Sequence, residues 1–193
     1  ELEGNSVEGR LCIKFPWPSM ARTIWGNHQR YKETYFSAYD NMYFTGDGAL
    51  RDKNGHYRIT GRVDDVIIVS GHNLGTAPIE DAINEHPAVS ESAIVGYPHD
   101  IKGSALYGYV TLKNSDHSSE ALKTEINQLI SKQIGPIAKL NKIQFTSGLP
   151  KTRSGKIMRR ILRKIASKDT SNLGDISTLL NPEVVEMIIK NSQ

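Results

Sequence analysis

The strongest local constraint on the fold is an Asn-Gly step between two short runs of alternating apolar and polar residues. The runs cover residues 47–51 and 56–60, and the tetrapeptide between them ends on Asn54-Gly55. Asn-Gly readily adopts the backbone angles of a tight turn, so the pattern predicts a β-hairpin. A β-branched run at residues 66–70 follows and predicts a buried strand.

Downstream of residue 75, predicted helices and strands alternate irregularly. Thr76 is predicted to cap a helix that has Pro78 in its first turn and reaches about residue 85. Further strands are predicted at residues 89–97, 105–112 and 143–146, and further helices at residues 118–134, 157–167 and 182–190. Residues 11–36 lack a clean period and predict only short strands and loops. The irregular order favours the α+β class.

Composition excludes several classes of protein. With 193 residues, 38% hydrophobic and 23% charged, the chain is long enough for one compact domain or two small ones and is globular rather than fibrous or disordered. The densest apolar run covers only residues 66–69, which is too short to cross a bilayer. Cys12 is the single cysteine, so an internal disulfide is excluded and a cytoplasmic location is expected. Because the chain begins at Glu1 without a signal peptide, we expect a fragment of a longer protein.

The charges are distributed unevenly along the chain. The formal net charge is +3, yet residues 151–168 contain eight cations and no acid. These cations are Lys151, Arg153, Lys156, Arg159, Arg160, Arg163, Lys164 and Lys168. The other 16 basic and 21 acidic residues give the rest of the chain a net charge of −5. A basic cluster on an acidic body indicates an anionic ligand that is bound at one place.

Three segments contain residues that could carry chemistry. Asp47 lies between two glycines at the start of a strand, which suits either a turn or a carboxylate that accepts hydrogen bonds from a ribose diol. Arg62 is followed by two acids, which is typical of an exposed ion pair.

The third segment, residues 150–156, resembles a P-loop but has Pro150 where that motif needs glycine and Ile157 where it needs Ser or Thr. We therefore predict a flexible cationic loop that ends at a helix N-terminus, with Lys156 as a mobile charge. For the cations of residues 159–164, the favoured interpretation is the solvated face of a surface helix.

Taken together, the motifs YFTGD, ITGRVDD, VSGHNLGT and LPKTRSGKIMRRILRKIA resemble, in order and spacing, the C-terminal third of the acetyl-coenzyme A synthetases. These are the acetate–CoA ligases of the AMP-forming adenylating superfamily, and the resemblance covers nearly the whole chain. It implies that residues 1–64 are the end of a β-rich large adenylating domain with a hinge at Asp64. It also implies that residues 65–193 are a small mobile α+β lid. The implied reaction forms acetyl-adenylate from acetate and ATP, and then acetyl-CoA with release of AMP.

The resemblance also implies roles for individual residues. The implied roles are ATP or AMP binding by Asp47, Arg62 and Asn73, CoA binding by Ser70 and Gly71, and catalysis of adenylation by Lys156 with reversible acetylation of the same lysine. The resemblance also implies magnesium binding by His86 with the carbonyls of Asn84 and Val89. Two positions depart from the family pattern, because Asn73 and Ser131 stand where relatives commonly carry arginine. An asparagine can hydrogen-bond a phosphate but cannot neutralise it.

The family's phosphate loop, adenine-binding segment and acetate pocket are absent from this sequence. We therefore expect ATP, coenzyme A and Mg²⁺ as cofactors, acetate as substrate and an upstream large domain as partner, with no activity from this chain alone. A ligase for another short acid, such as propionate, remains an alternative because the acid pocket is missing. A nucleic-acid-binding module built on residues 151–168 is the alternative from another class, and it is disfavoured because no recognised reader motif accompanies the cations. No membrane partner is expected.

Overall fold

The structure is a computed structural model that describes residues 1–114 and 118–192. It divides into two compact units, Glu1–Asp65 (unit 1) and Val66–Gln193 (unit 2). Unit 1 contains strand β1 (Val7–Ile13), helix α1 (His28–Tyr35), strands β2 (Tyr43–Arg51) and β3 (Tyr57–Arg62) and a 3-10 turn at Val63–Asp65. The strands form an antiparallel sheet in the order β1-β2-β3.

The hairpin predicted at Asn54-Gly55 is confirmed. Strands β2 and β3 pair from Asp47↔Arg62 to Arg51↔Tyr57. The carboxylate of Asp52 accepts hydrogen bonds from the backbone N–H groups of Asn54 (2.7 Å) and His56 (2.9 Å). Gly55 adopts a φ of +88°, which a residue with a Cβ atom rarely tolerates.

Helix α1 corrects the prediction that residues 11–36 contain only strands and loops. Its first N–H groups are capped by Asn27, whose side chain accepts a hydrogen bond from the backbone N–H of Arg30 (2.9 Å). Tyr31 is the buried residue of this helix, and its ring packs against Tyr35 and Phe36. The helix has one buried residue in eight, so its apolar periodicity was too weak to reveal it.

Unit 2 contains five strands and four helices among its described residues. They are β4 (Ile67–Val69), β5 (His72–Leu74), α2 (Thr76–Asn84), β6 (Val89–His99), β7 (Gly103–Leu112), α3 (Glu120–Gln133), β8 (Lys142–Thr146), α4 (Arg159–Ala166) and α5 (Glu183–Lys190). The sheet order is β5-β4-β7-β6, and β8 pairs parallel to β7. A mixed sheet combined with helices confirms the predicted α+β class.

The sheet of unit 2 is covered by helices on both faces. Successive residues of a strand point to opposite faces, and on β6 Ile94 joins one core cluster while Ala93 and Val95 join the other. The first cluster includes residues of α2 and α3, and the second includes residues of α4 and α5. Helix α4, which follows the segment around Lys156, is therefore packed into a rigid sandwich.

Several predicted boundaries shift by a few residues. Gly75, not Thr76, is the N-cap of α2, and α4 begins at Arg159 rather than at residue 157. The strand at β4 is half-buried, because Ile67 and Val69 are buried while Ile68 is 57% exposed. Ser119 is the N-cap of α3. Within the described residues, no helix combines the length and the apolar character that a membrane span requires.

Candidate functional site

In unit 1, the predicted nucleotide-binding residues meet in one group of side chains, which we call the Arg62 cluster (Thr45, Asp47, Arg62 and Asp64). Asp47 and Arg62 are paired positions on β2 and β3. Arg62 Nη1 lies 3.6 Å from Asp47 Oδ1, and Arg62 Nε donates a 3.0 Å hydrogen bond to Asp64 Oδ1. Nη1 also donates to the Thr45 carbonyl at 3.2 Å. One arginine therefore connects the predicted ribose carboxylate with the predicted hinge.

Gly46 gives the guanidinium the space it occupies. Its φ is +80°, and a Cβ atom at this position would lie 2.7 Å from both Arg62 terminal nitrogens. Asp47 is held from the other side, because its backbone N–H donates to Thr45 Oγ1 (3.1 Å), which in turn donates to the Leu11 carbonyl (3.0 Å). Any side chain at position 46 would therefore have to displace Arg62.

The electrostatics of the Arg62 cluster keep the guanidinium charged. Partial burial acts to lower the pKa of Arg62, but the hydrogen bond and charge of Asp64, and then the charges of Asp47 and Asp65, outweigh it and raise that pKa. The Asp47 side chain is 32% exposed and retains lone pairs for other donors. A partly exposed carboxylate beside a fixed cation can accept hydrogen bonds from two hydroxyl groups of a ligand, while the cation contacts an anionic group of the same ligand.

In unit 2, the predicted CoA residues form the turn between β4 and β5. Ser70 and Gly71 have φ angles of +49° and +82°, so both central residues adopt the positive φ that a type I′ hairpin turn requires. The Ser70 N–H donates to the Lys102 carbonyl at 3.1 Å, which fixes this turn to the β6–β7 connection. Asn73 is exposed on β5, opposite Ile68. These three predicted ligand-binding residues thus share one exposed hairpin.

Lys156 lies on a separate hydrogen-bonded turn, which we call the Lys156 turn (residues 150–158). The backbone N–H of Thr152 donates to the Lys156 carbonyl (2.9 Å), and the N–H of Lys156 donates to Thr152 Oγ1 (3.1 Å). The N–H of Met158 closes the turn on the Pro150 carbonyl at 2.8 Å. The predicted loop is a hydrogen-bonded turn, and the prediction that it ends at a helix N-terminus was wrong. Side-chain capping by Thr152 orders the turn, and α4 begins only at Arg159.

The Lys156 side chain is exposed, and within residues 1–114 and 118–192 it forms no hydrogen bond or ion pair. Several neighbouring cations differ from it in this respect. Lys151 pairs with Glu91 (2.6 Å) and Arg159 with Glu80 (2.6 Å), while Arg160 donates to the Leu173 carbonyl (3.1 Å). For Arg159 the prediction of a solvated helix face was wrong, because the side chain binds an acid 79 residues earlier in the chain, whereas Arg160 and Arg163 are exposed as predicted. This internal pairing also weakens the electrostatic basis of the nucleic-acid alternative.

The predicted magnesium ligands lie at the end of α2 and the start of β6. His86 Nδ1 accepts a hydrogen bond from the Ala88 N–H (3.3 Å), and Nε2 lies 3.4 Å from Glu125 Oε2. The side-chain oxygen of Asn84 accepts from Ser92 Oγ (2.9 Å). Mg²⁺ prefers an octahedral set of oxygen ligands, and both ring nitrogens of His86 already have neighbours. The predicted donors, the His86 imidazole and the carbonyls of Asn84 and Val89, include no carboxylate, so this set fits Mg²⁺ poorly. No group of three or more acidic, His or Cys side chains suited to a metal occurs in the described part of the chain.

Sequence reasoning did not identify Glu80, which binds Arg159 from inside α2. An acid in a helix usually indicates a solvated face, and its 79-residue separation from Arg159 leaves no local pattern. Ser131 lies half-buried on α3, next to the exposed Lys132.

Comparison with known proteins gives a family match over a segment that contains most of the Lys156 turn. Residues 78–156 match the family described as the AMP-binding enzyme C-terminal domain. The matched segment begins in α2 and ends at Lys156, so it includes both Glu80 and most of the Lys156 turn.

The whole chain is similar to acetyl-coenzyme A synthetases. That of Methylorubrum populi is 58% identical over 193 residues, which are 100% of this chain and 30% of the relative. The chain thus spans about 30% of the length of the curated relatives it matches. The predicted resemblance to the C-terminal portion of these synthetases is confirmed.

Solved structures agree with this assignment. An acetoacetyl-CoA synthetase from Streptomyces lividans superposes with a TM-score of 0.80 over 96% of this chain and 28% of that protein. At 22% identity this similarity shows the fold alone. The anthranilate CoA ligase AuaEII, solved in complex with anthranoyl-AMP, gives a TM-score of 0.76 at 28% identity, over 86% of this chain and 31% of that protein.

Proposed function

We propose that this chain is the C-terminal part of an AMP-forming acetate–CoA ligase. In this proposal the ligase forms acetyl-adenylate from acetate and ATP, and then transfers the acetyl group to CoA with release of AMP. The single observation that carries the proposal is the 58% identity to an acetyl-coenzyme A synthetase along the full length of this chain. Residues 1–64 would be the end of the large adenylating domain, and residues 65–193 the mobile lid.

Nucleotide binding is assigned to the Arg62 cluster. Asp47 would accept hydrogen bonds from both ribose hydroxyls, and Arg62 would contact the same nucleotide. The fixed backbone of Asp47 and its partial exposure support this role. Asn73 would add a hydrogen bond to a phosphate from the β4–β5 hairpin, without neutralising its charge.

Adenylation is assigned to Lys156. Attack of acetate on the α-phosphate of ATP brings two anions together, and negative charge builds up on the phosphoryl oxygens. A positioned ammonium stabilises that charge and holds the reactants in line. An exposed lysine on an ordered turn, without a protein anion beside it among the described residues, suits this role. Acetylation of Lys156 would remove the charge and stop this half-reaction.

The thioester step requires a different surface at the same pocket. The small domain would rotate about Asp64, replacing the Lys156 turn with the turn at Ser70 and Gly71. Asp64 lies in the 3-10 turn that ends unit 1, directly before the boundary at residue 65. No heavy atom lies within 4 Å of the point that a Cβ atom would occupy at Gly71, so open space adjoins its backbone for the pantetheine chain of CoA.

Magnesium would accompany the phosphates of ATP, since Mg²⁺ commonly binds to substrate phosphates and retains several waters. No step of the reaction is assigned to an ion at His86, because both of its ring nitrogens already have neighbours. The cytoplasm is the proposed location, because Cys12 is unpaired and suits a reducing compartment.

The proposal is tested by joining this chain to the upstream 70% or so of the M. populi relative, a fraction that follows from the 30% coverage. We call the product the full-length ligase. Acetyl-CoA formation from acetate, ATP and CoA is measured for the full-length ligase, for the upstream segment alone and for this chain alone. We expect activity only in the full-length ligase. Acetyl-CoA formation by this chain alone, or a folded full-length ligase without activity, would contradict the proposal.

A further inference from the structure

A buried carboxylate lies in α2, outside the sites described above. Glu80 is 8% exposed, and its neighbours Ile79, Ala82 and Ile83 are at most 1% exposed. Removing a carboxylate from water is costly unless cations and hydrogen bonds compensate for the loss. Because an apolar residue of similar size would often be as stable at such a position, the retained charge points to a task other than stability.

Three donors bind this carboxylate. The Arg159 guanidinium forms a fork, with Nη2 at 2.6 Å from Oε2 and Nε at 3.2 Å from Oε1. The backbone N–H of Ile94 on β6 donates to the same Oε1 at 2.8 Å. The two oxygens of Glu80 therefore fix both the distance and the plane of the guanidinium, which a lysine in place of Arg159 would not reproduce.

Arg159 is the first residue of α4, three residues after Lys156. A cation is unfavourable at a helix N-terminus, where the helix dipole is positive. The N-cap residue, Met158, also provides no side-chain hydrogen bond to the first turn. The start of α4 thus lacks a side-chain cap, and its first residue is instead bound by the carboxylate of Glu80.

The other end of the Lys156 turn is fixed to the same strand. Lys151 forms an ion pair with Glu91 of β6 at 2.6 Å, and its backbone N–H donates to Asn181 Oδ1 at 3.1 Å. Glu91 and Ile94 are both residues of β6. The turn that presents Lys156 is therefore held at one end by an ion pair to β6, and it is followed directly by Arg159, whose partner Glu80 on α2 accepts a hydrogen bond from the β6 backbone.

We infer that the Glu80–Arg159 ion pair positions the Lys156 ammonium for the adenylation half-reaction. The inference depends on the proposed function of Lys156. Arg159 and Glu80 act as positioning residues, because neither is assigned a contact with substrate. The pair sets the point where the Lys156 turn joins α4, and hence the direction in which the lysine projects. A misplacement of about 1 Å at a reacting centre can reduce a rate by about two orders of magnitude.

The test uses Arg159→Lys and Glu80→Gln in the full-length ligase. The first keeps the positive charge but loses the fork, and the second keeps an oxygen acceptor for the Ile94 N–H but loses the negative charge. Lys168→Asn is the matched control, because it removes an exposed cation of the same basic segment at a position with a φ of +58°, which asparagine tolerates. Adenylation is measured as acetate-dependent ATP–pyrophosphate exchange. Thioester formation is measured separately from supplied acetyl-adenylate and CoA.

For both variants we expect kcat of adenylation to fall roughly 10- to 100-fold, with KM for ATP and the thioester rate within about twofold of the parent. The control should retain both rates. Equal losses in the two half-reactions would show a structural role and overturn the inference, whether or not the variant unfolds. Unchanged adenylation would also overturn it. Lys156→Ala measured in parallel separates the two claims, because retained adenylation in that variant contradicts the proposed function itself.

Discussion

Replacement of Gly46 by alanine tests whether the Arg62 cluster depends on an empty position beside the guanidinium. The left-handed backbone costs a residue with a Cβ atom about 1–2 kcal/mol. The new Cβ would also lie 2.7 Å from both Arg62 terminal nitrogens, so the guanidinium must move and weaken its hydrogen bonds to Thr45 and Asp64. Charge-assisted hydrogen bonds contribute about 1.5–3 kcal/mol, and the 44% exposure of Arg62 reduces this to about 1 kcal/mol.

Gly26→Ala is the matched control. Gly26 has a φ of +70°, and no heavy atom lies within 4 Å of its Cβ position, so its replacement introduces the backbone strain without the clash. We expect Gly46→Ala to destabilise unit 1 by about 1 kcal/mol more than Gly26→Ala. Both tryptophans, Trp17 and Trp25, belong to unit 1, so urea unfolding followed by tryptophan fluorescence reports this unit.

The same pair of variants separates stability from nucleotide binding. If Arg62 contacts the nucleotide, its displacement should weaken ATP binding. A loss of about 1 kcal/mol in the binding free energy corresponds to about a fivefold increase in KM for ATP of the full-length ligase. Gly26→Ala should leave that KM unchanged. Equal destabilisation by the two substitutions, together with equal KM values for ATP, would refute the reasoning from the Cβ contact.

Substitutions at two further positions test individual turns. Ser70→Asn should stabilise unit 2 by about 0.5 kcal/mol, because it creates the Asn-Gly pair that type I′ turns favour, whereas Ser70→Val should destabilise the unit. Urea unfolding followed by circular dichroism shows whether each variant raises or lowers the free energy of unfolding. Hydrogen bonds to the carboxylate, first from the backbone N–H of His56 and then from that of Asn54, lower the pKa of Asp52 below its ordinary 3.8. Since this pKa is lower in the folded state, the stabilisation from Asp52 is complete above about pH 4 and is lost as the pH falls through the folded pKa. Asp52→Asn should therefore reduce the loss of unfolding free energy that unit 1 shows as the pH falls below about 4. An unchanged pH dependence of this free energy would contradict the assignment.

The elements that sequence predicted correctly depend on local signals. The Asn54-Gly55 step determines its turn through its own backbone preferences, and Ser119 caps α3 within three residues of the N–H group it binds. The strands β6 and β7 combine β-branched and aromatic residues, which suit a buried sheet. Such signals need no knowledge of the rest of the chain.

The errors arose where distant contacts decide the structure. The cations of α4 were expected to face solvent, but Arg159 binds an acid 79 residues earlier in the chain. Likewise, the resemblance supplied the roles of Asp47, Arg62 and Asp64, but only the structure gives the distances that join them in one cluster.

The role of Lys156 in one half-reaction is the central claim, and the most direct measurement compares the two half-reactions of Lys156→Ala in the full-length ligase. Arg153→Ala is the control, because Arg153 is an exposed cation of the same turn that is assigned no role. Acetate-dependent ATP–pyrophosphate exchange should disappear in Lys156→Ala and persist in Arg153→Ala, while both variants convert supplied acetyl-adenylate and CoA to acetyl-CoA at the parent rate. Retained exchange in Lys156→Ala, or an equal loss of both half-reactions, would contradict the account.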